Sequence, residues 1–269
     1  MGGRLYEREI AFLREIPFRV IIVHFYSYIE SLKRCIMKRL IFSLFAMAAA
    51  GFAAAQNGEV REFTANGVKF EMVCVDGDTF DMGEPGKQES TEVGSFLIGR
   101  TEVTGDLWKA VMGKNPSSVR GRGKGMPVES VSWNDCKEFI EKLNQLTGQK
   151  FRLPSEDEWE YAARGGSKSG NFKFSGSDAM GKVGWYSKNS DSHVHQVATK
   201  SPNELGIYDM SGNVWEWCSD PYEGVESLQY VIRGGCFTDT SQACWVWNRS
   251  KNAPHEKNEI CGLRLAMDK

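Results

Sequence analysis

The stretch 203–220, which reads NELGIYDMSGNVWEWCSD, constrains this chain more than any other part of its sequence. It combines aromatic residues, two glycines and four acidic side chains with one cysteine, a mixture that neither a single helix nor a single strand requires. Aromatic side chains favour burial, whereas clustered carboxylates oppose it unless a counter-charge pairs with them. The stretch therefore predicts a loop packed into the core and wrapped around a cation.

The N-terminal part of the chain contains a secretory signal pattern. Two basic residues precede an apolar run over 40–52, and the run ends in a triple alanine that fits an A-x-A cleavage site. Residues 37–55 are therefore predicted to be a signal peptide, with an apolar run too short to span a bilayer. Residues 1–36 are predicted to lie upstream of the true start, Met37; the alternative is an amphipathic segment around 18–32 that lies on a membrane.

The charge of the mature chain bears on its partners and location. From Gln56 onward it carries 25 basic residues (33 less 8) and 31 acidic residues (35 less 4), a net charge of −6. An acidic domain argues against nucleic acid as the main partner, and no transmembrane span is predicted. We expect a protein exported to the periplasm, the cell surface or the medium. Export permits disulfides, and the sequence leaves open the pairing of Cys74, Cys136, Cys236 and Cys261.

Capping patterns predict three helices. Thr104 can cap a short helix through Val111, and the apolar spacing over 132–148 predicts a longer one with Ser132 as its N-cap. A second capping box predicts a helix that begins near 155 and ends at a Gly-Gly pair.

Strand patterns are weaker. Alternating apolar residues around Asn-Gly and Asp-Gly predict a hairpin-like pair over 63–82, and 95–103 is another strand candidate. The polar segment 84–92 is predicted to be a loop. Regular structure becomes sparse beyond Gly166, although aromatic residues continue, so we predict one folded domain over 60–269.

Four segments then carry a family signature: FRLPSEDEWEYAARGG at 151–166, the stretch 203–220, VIRGG at 231–235 and GLRLA at 262–266. In order and spacing they resemble the formylglycine-generating, sulfatase-modifying-factor family. The resemblance covers essentially the whole mature chain. It implies an α+β, C-type-lectin-like fold with little regular secondary structure, in which two or three short helices surround small antiparallel sheets.

The segment after RGG departs from the catalytic pattern of the resembled enzymes, which use two cysteines there to hold copper and oxidise a substrate cysteine. Cys244 matches the second cysteine, but Asp239 stands where the first should be. Copper(I) favours two thiolates, and one thiolate with a carboxylate does not provide them. Cys236 is the remaining source of a second sulfur, although strand alternation would aim it differently. The resemblance therefore implies a lost oxidase site without copper.

A structural calcium ion is implied for the stretch 203–220. Carried over from the resembled family, its ligands are the carboxylates of Asp209 and Glu216 and the main-chain carbonyls of Gly212 and Val214. The alternative is that the two carboxylates cap turns and pair with arginines, for which the candidates are Arg233 and Arg264.

A disulfide is implied by the same resemblance. Similar members carry a cysteine in WEWC together with one at the position of Cys244, which implies a Cys218–Cys244 bond. The alternative is a pair of buried free thiols. A branch of the family that uses iron relies on a histidine-rich domain, which this chain of four histidines lacks. His193 and His195 are accordingly predicted to lie in a solvated loop.

The C-terminal segment is unusual in its aromatic content. Trp245 and Trp247 alternate with Val246, so they are predicted to share a face, either as anchors for a partner or as core residues. The candidate ligand-binding residues are Phe237, Asp239, Trp245, Trp247, Asn248, His255 and Glu256. Another branch of the fold comprises receptors whose C-terminal segment is diversified by retroelements, and substitutions confined to this segment fit that pattern.

The sequence thus predicts an exported, non-catalytic, lectin-fold domain that binds a protein or peptide ligand through its C-terminal loops. One alternative is a copper-dependent, formylglycine-generating oxidase that acts on sulfatase cysteines through Cys244 and Cys236. Another is a structural subunit of a secretion or surface assembly.

Overall fold

Short strands and helices alternate along residues 56–118, 121–222 and 229–269, which are the residues that the computed structural model describes. The predicted signal peptide and the segment upstream of it lie outside these residues. Among the helices described, none is long and apolar enough to cross a membrane.

The first sheet is antiparallel and has the order β1-β2-β5-β10. Its strands are β1 (Val60–Ala65), β2 (Val68–Val75), β5 (Phe96–Gly99) and β10 (Ala266–Asp268). The turn between β1 and β2 is Asn66-Gly67, and both residues have positive φ. Asn-Gly favours this conformation, so the first half of the predicted hairpin is confirmed.

A two-stranded sheet follows β2, formed by β3 (Asp78–Met82) and β4 (Glu89–Val93). The prediction that 84–92 is a loop is therefore wrong for its second half. The strand β4 reads ESTEV and exposes most of its side chains, so no apolar alternation marks it. Main-chain pairing with β3 makes it a strand.

The second four-stranded sheet has the order β8-β7-β6-β9. Its strands are β6 (Trp215–Pro221), β7 (Tyr230–Arg233), β8 (Arg249–Asn252) and β9 (Cys261–Leu263). All pairs are antiparallel except β6 with β9, which is parallel. The sheet therefore brings together the three family segments that contain WEWC, RGG and GLRLA.

Besides two short 3₁₀ helices, the described residues form four α-helices: α1 (Gly105–Met112), α2 (Trp133–Thr147), α3 (Glu156–Ala163) and the short α4 (Met180–Val183). The three predicted helices are confirmed as α1 to α3. Local hydrogen bonds explain their starts, because the N-caps of α2 and α3 each form a complete capping box. Such a cap contributes about 1 kcal/mol to helix stability.

Strand β6 lies between two apolar clusters. Trp215 and Trp217 pack into the larger cluster, with α1, α2 and the first sheet. Cys218 packs into the second cluster, which includes Trp159 of α3. Because Trp215 to Cys218 are all buried, β6 is the centre of the domain rather than an exposed edge.

Candidate functional site

The loop before β6 adopts a conformation that few sequences tolerate. Asp209, Gly212 and Asn213 all have positive φ, in the left-handed region. A Cβ at Gly212 would collide with the main-chain oxygen of Trp185, so this position requires glycine. Aspartate and asparagine are the residues other than glycine that visit this region most readily. The unusual composition of the loop therefore follows from its backbone.

Behind this loop, three carboxylates and one guanidinium are buried together. Glu102, Asp209 and Glu216 are each no more than 2% exposed, and Arg264 is fully buried. The Arg264 Nε and Nη2 atoms donate to the two carboxylate oxygens of Glu216 at 2.9 and 2.7 Å. Trp159 donates its indole N–H to Glu216 at 2.7 Å. Glu216 is thus fully engaged, while the other two carboxylates share the field of a single cation.

Glu102 and Asp209 are held by main-chain and amide donors. Glu102 accepts from the Asn213 amide at 2.7 Å and from the main-chain N–H of Val214 at 3.1 Å. Asp209 accepts through Oδ2 from the main-chain N–H of Ala198 at 2.7 Å, and its buried Oδ1 has no hydrogen-bond partner among the described residues. Few hydrogen-bond donors therefore stabilise the ionised form of either carboxyl group.

The pKa values of these two acids follow from their surroundings. Burial raises the pKa of Glu102 well above its usual range, and the charges of Asp209 and Glu216 raise it further. Burial also raises the pKa of Asp209 to about 6, although its bond to Ala198 and the charge of Arg264 act in the opposite direction. Burial thus favours the protonated form of both carboxyl groups.

The calcium ion stays a prediction, and the contacts of its two carboxylate ligands differ. Both oxygens of Glu216 are occupied by Arg264 and Trp159, so the predicted alternative for Glu216, pairing with Arg264, is the arrangement found. Asp209 retains an unengaged carboxylate oxygen, Oδ1.

The main-chain N–H groups of Gly212 and Val214 bond to protein groups, whereas the atoms predicted to bind calcium are their carbonyl oxygens. Gly212 donates its N–H to the Gly234 carbonyl at 2.8 Å. The N–H of Val214 donates to Glu102, as described above. These contacts tie the loop to the RGG segment and to Glu102, three residues after the end of β5.

The segment after RGG places Asp239 and Cys236 side by side. Asp239 Oδ2 accepts from the Trp215 indole at 2.8 Å, from the Cys236 main-chain N–H at 3.0 Å and from the Cys236 thiol at 3.1 Å. The expectation that Cys236 is aimed elsewhere is therefore wrong. Strand alternation does not reach it, because Gly234 and Gly235 both have positive φ and end the strand.

Both thiols of this segment are buried and protonated at neutral pH. Burial raises the pKa of Cys236 to about 12. Burial also raises the pKa of Cys244 strongly, and the neighbouring Asp239 and Cys236 add to the effect. The thiolate is the form that binds metals and attacks substrates, and burial disfavours it at both cysteines.

The predicted Cys218–Cys244 disulfide is not formed in the structure, where both cysteines are free and buried. They occupy different apolar clusters: Cys218 lies on β6 with Trp159, and Cys244 lies under Trp245 with Phe174. The alternative of two buried thiols is the arrangement found. The four cysteines whose pairing the sequence left open are free as well.

The aromatic pair, Trp245 and Trp247, is partly exposed, and its ring centroids lie 5.2 Å apart at an angle of 32°. The prediction that these rings share a face is confirmed, with Val246 between them fully buried. The buried guanidinium of Arg233 donates to the Val246 carbonyl at 2.9 Å and contacts the Trp247 carbonyl at 3.4 Å. Glu160 of α3 pairs with the same guanidinium. The core therefore fixes the main chain beneath the pair.

The other candidate ligand-binding residues separate into two groups. In the first group, Phe237 is only 7% exposed, and the Asn248 side-chain amide donates to the Ala243 carbonyl at 3.0 Å. His255 and Glu256 are exposed in a different loop, which contacts the start of α2 through the Pro254 carbonyl. Among the described residues, no hydrogen bond joins this loop to the aromatic pair, so the seven candidates do not form one site.

His193 and His195 lie in a loop, as predicted. His193 is exposed, whereas the ring of His195 stacks on Trp185 with centroids 3.7 Å apart. Sequence reasoning also missed the roles of Glu102 and Arg233. Glu102 lies outside the four segments that carry the family signature, and nothing in its local sequence indicated that its side chain reaches the loop before β6.

Comparisons with known proteins agree with this architecture. Residues 56–269 match the family model described as "Sulfatase-modifying factor enzyme 1-like domain". The "Chaperone protein LppX" of Paenibacillus barcinonensis is 32% identical, over 86% of this chain and 99% of its own. The formylglycine-generating enzyme of Streptomyces coelicolor is 31% identical, over 62% of this chain and 60% of its own, so the match spans less than two thirds of that enzyme.

Solved structures show the same relationship. "Treponema denticola variable protein 1" superposes with a TM-score of 0.70 and 28% identity, over 78% of this chain and 99% of its own. PvdO from Pseudomonas aeruginosa superposes with a TM-score of 0.69 and 25% identity, over 80% of this chain and all of its own. The predicted fold class and the predicted family are both confirmed. The chain belongs to the family of the sulfatase-modifying factor enzyme 1-like domain.

Proposed function

We propose that this protein is an exported, non-catalytic member of its family that binds a protein or peptide ligand through its C-terminal loops. The observation that carries the proposal is the aromatic pair, which is partly exposed on a main chain fixed from below by Arg233. Large aromatic side chains held in one conformation lose little entropy on binding, and for that reason they are favoured anchors in interfaces.

The chemistry of the former oxidase segment supports the non-catalytic half of the proposal. Asp239 fills the position of one cysteine, and its contacts with Trp215 and Cys236 hold it there. A carboxylate is a hard ligand and suits copper(I) poorly. The raised pKa values of Cys236 and Cys244 further disfavour two thiolates at this point.

The nature of the ligand is supported by one relative. LppX is named a chaperone protein, and it matches this chain over 99% of its own length. A protein or a peptide is therefore the class of ligand that we propose. Export is proposed from the signal pattern over 37–55.

A copper titration tests the proposal. We expect the reduced wild-type protein to bind no stoichiometric copper(I), because two thiolates are not available. The Asp239→Cys variant restores the missing thiol position and is expected to gain copper binding, which makes it the positive control. Stoichiometric copper in the wild type that is lost on Cys244→Ser, together with oxygen-dependent conversion of a Cys-x-Pro-x-Arg peptide, would instead establish the oxidase.

Diversification of the C-terminal segment is a narrower form of the proposal. The solved relative from Treponema denticola is named a variable protein, and the unusual residues of this chain fall within 236–261. We expect a reverse-transcriptase gene and a near-copy of the codons for this segment close to the gene. If sequencing of that region finds neither, diversification is rejected, and ligand binding is then tested separately.

A further inference from the structure

Positive charge is concentrated beside the aromatic pair, on a domain that is acidic as a whole. Over residues 164–190 the chain carries five basic residues and a single acidic one, whereas residues 56–269 carry 25 basic and 31 acidic residues. Four of the five are exposed, and we call three of these, Lys173, Lys182 and Lys188, the basic rim. One segment of a net negative domain therefore carries a net positive charge.

Main-chain contacts place the basic rim next to the aromatic pair. The Lys173 carbonyl accepts a hydrogen bond of 2.9 Å from the N–H of Val246, the residue between the two tryptophans. Lys182 is on α4, whose ends, Met180 and Val183, pack in the small apolar cluster under Trp245. The basic rim and the aromatic pair are therefore connected by a main-chain hydrogen bond and by the same small apolar cluster.

Lys188 completes the rim on the side of the former oxidase segment. It follows Ser187, whose N–H donates to the Asp239 carbonyl at 3.0 Å. Tyr186, at the start of the same turn, packs with Trp245 against the small cluster. The three rim lysines therefore come from three points of the chain that contact the segment of the aromatic pair.

Residues 164–190 and 236–247, which carry the basic rim and the aromatic pair, contain two carboxylates, and both are engaged. Asp178 accepts from the main-chain N–H of Lys173 at 3.0 Å. Asp239 directs its Oδ2 toward Trp215 and Cys236, which supply three donors. The lysine charges thus outnumber the local acids and point to a partner of negative charge.

A small cavity lies next to the same surface. Its volume is about 210 Å³, and Phe80 and Tyr161 form its apolar wall, with ring centroids 5.1 Å apart. Arg164 lines this cavity and also lies over the Trp247 ring, 5.9 Å from its centroid. Asp81 is the acidic residue in its lining. The cavity has room for one apolar side chain, which suits a peptide better than a smooth polyanion.

We propose that the aromatic pair and the basic rim together bind an acidic peptide segment that carries an aromatic or aliphatic anchor residue. This inference rests on the proposed function and names the chemistry of its ligand. The anchor packs on Trp245 and Trp247, and the flanking aspartate or glutamate side chains face the lysines. Because the rim lysines are exposed, they contribute to the affinity mainly through the association rate, and this contribution weakens with rising salt.

Selection of peptides from a random displayed library, with the full chain as bait, tests the inference. We expect the enriched peptides to be acidic and to contain an anchor residue. Their affinity should fall about tenfold in the Lys182→Glu/Lys188→Glu variant and in Trp245→Ala, and it should fall with rising salt. The control variant Lys114→Glu/Lys150→Glu reverses the same number of exposed lysines elsewhere and should leave the affinity unchanged.

Other outcomes separate the inference from the proposed function. Peptides without excess acid that depend on Trp245 but not on the lysines would overturn the inference and leave ligand binding intact. Peptides that bind equally well to Trp245→Ala and Trp247→Ala would overturn both. Dextran sulfate is the competing probe. The inference fails if dextran sulfate binds through the lysines, if Trp245→Ala does not weaken that binding, and if no acidic peptide is enriched. The surface then recognises polyanions. Thermal unfolding of every variant verifies its folding.

Discussion

Replacing Arg264 with methionine is expected to cost the domain about 3–5 kcal/mol of unfolding free energy at pH 8, which is the loss typical of removing one partner from a buried ion pair. Methionine keeps much of the length of the side chain but removes its charge. Glu216 would then lose the two donors that Arg264 supplies at 2.9 and 2.7 Å, and Glu102 and Asp209 would lose the nearby positive charge. Several carboxylates would remain buried without a cation.

Chemical denaturation of the wild type and of Arg264→Met at pH 8 and pH 5 measures this effect. The loss should be smaller at pH 5, because protonation relieves the uncompensated carboxylates. Arg100→Met is the matched control, since Arg100 pairs with Glu71 at 2.7 Å but both side chains are about a third or more exposed. We expect it to lose less than about 1 kcal/mol. Equal losses in the two variants would contradict the structural role given to Arg264.

The ends of the helices could be predicted because their determinants are local. Ser132 and Ser155 each bond to a main-chain N–H three residues later, so a short sequence window contains the whole interaction. Strand β4 could not be found in this way. Its polar side chains are mostly exposed, and its pairing with β3 involves main-chain atoms that any sequence supplies.

The site was predicted less completely than the fold because its contacts join distant segments. The stretch 203–220 and its pairing with Arg264 could be anticipated from the family pattern. The participation of Glu102 could not, because its carboxylate reaches residues more than a hundred positions later in the chain. The orientation of Cys236 was mispredicted for a different reason, namely that two glycines with positive φ interrupt the alternation assumed for a strand.

The same distinction applies to the disulfide and to the pairing of Glu216. A cysteine at each expected position does not place two sulfur atoms together, and Cys218 and Cys244 pack into separate clusters. Likewise, the acidic residues of the stretch 203–220 do not reveal which of them pairs with an arginine, and in the structure Arg264 pairs with Glu216. The position of Arg264 relative to Glu216 depends on the parallel pairing of β9 with β6, which the sequence does not reveal.

The second large effect is expected for Asp209→Asn, which should stabilise the domain at pH 8. The pKa of Asp209 is raised from its ordinary value of 3.8 to about 6 by burial. Folding therefore favours the protonated form, and this contribution to stability is fully present below pH 4 and is lost as the pH rises through 6. A shift of roughly two pKa units corresponds to at most about 3 kcal/mol. Asparagine is never ionised, and it tolerates the left-handed backbone of this position.

Unfolding curves of the wild type and of Asp209→Asn between pH 4 and pH 8 measure the effect. We expect a gain of about 1–3 kcal/mol at pH 8 and little difference at pH 4, with the neighbouring Glu102, Glu216 and Arg264 unchanged. Asp178→Asn is the control, because Asp178 is exposed and its replacement should not alter the pH dependence. Calcium provides the contrary outcome. If added calcium stabilises the wild type and Asp209→Asn abolishes that gain, the carboxylate serves a cation and not a proton, and this account of the buried cluster is wrong.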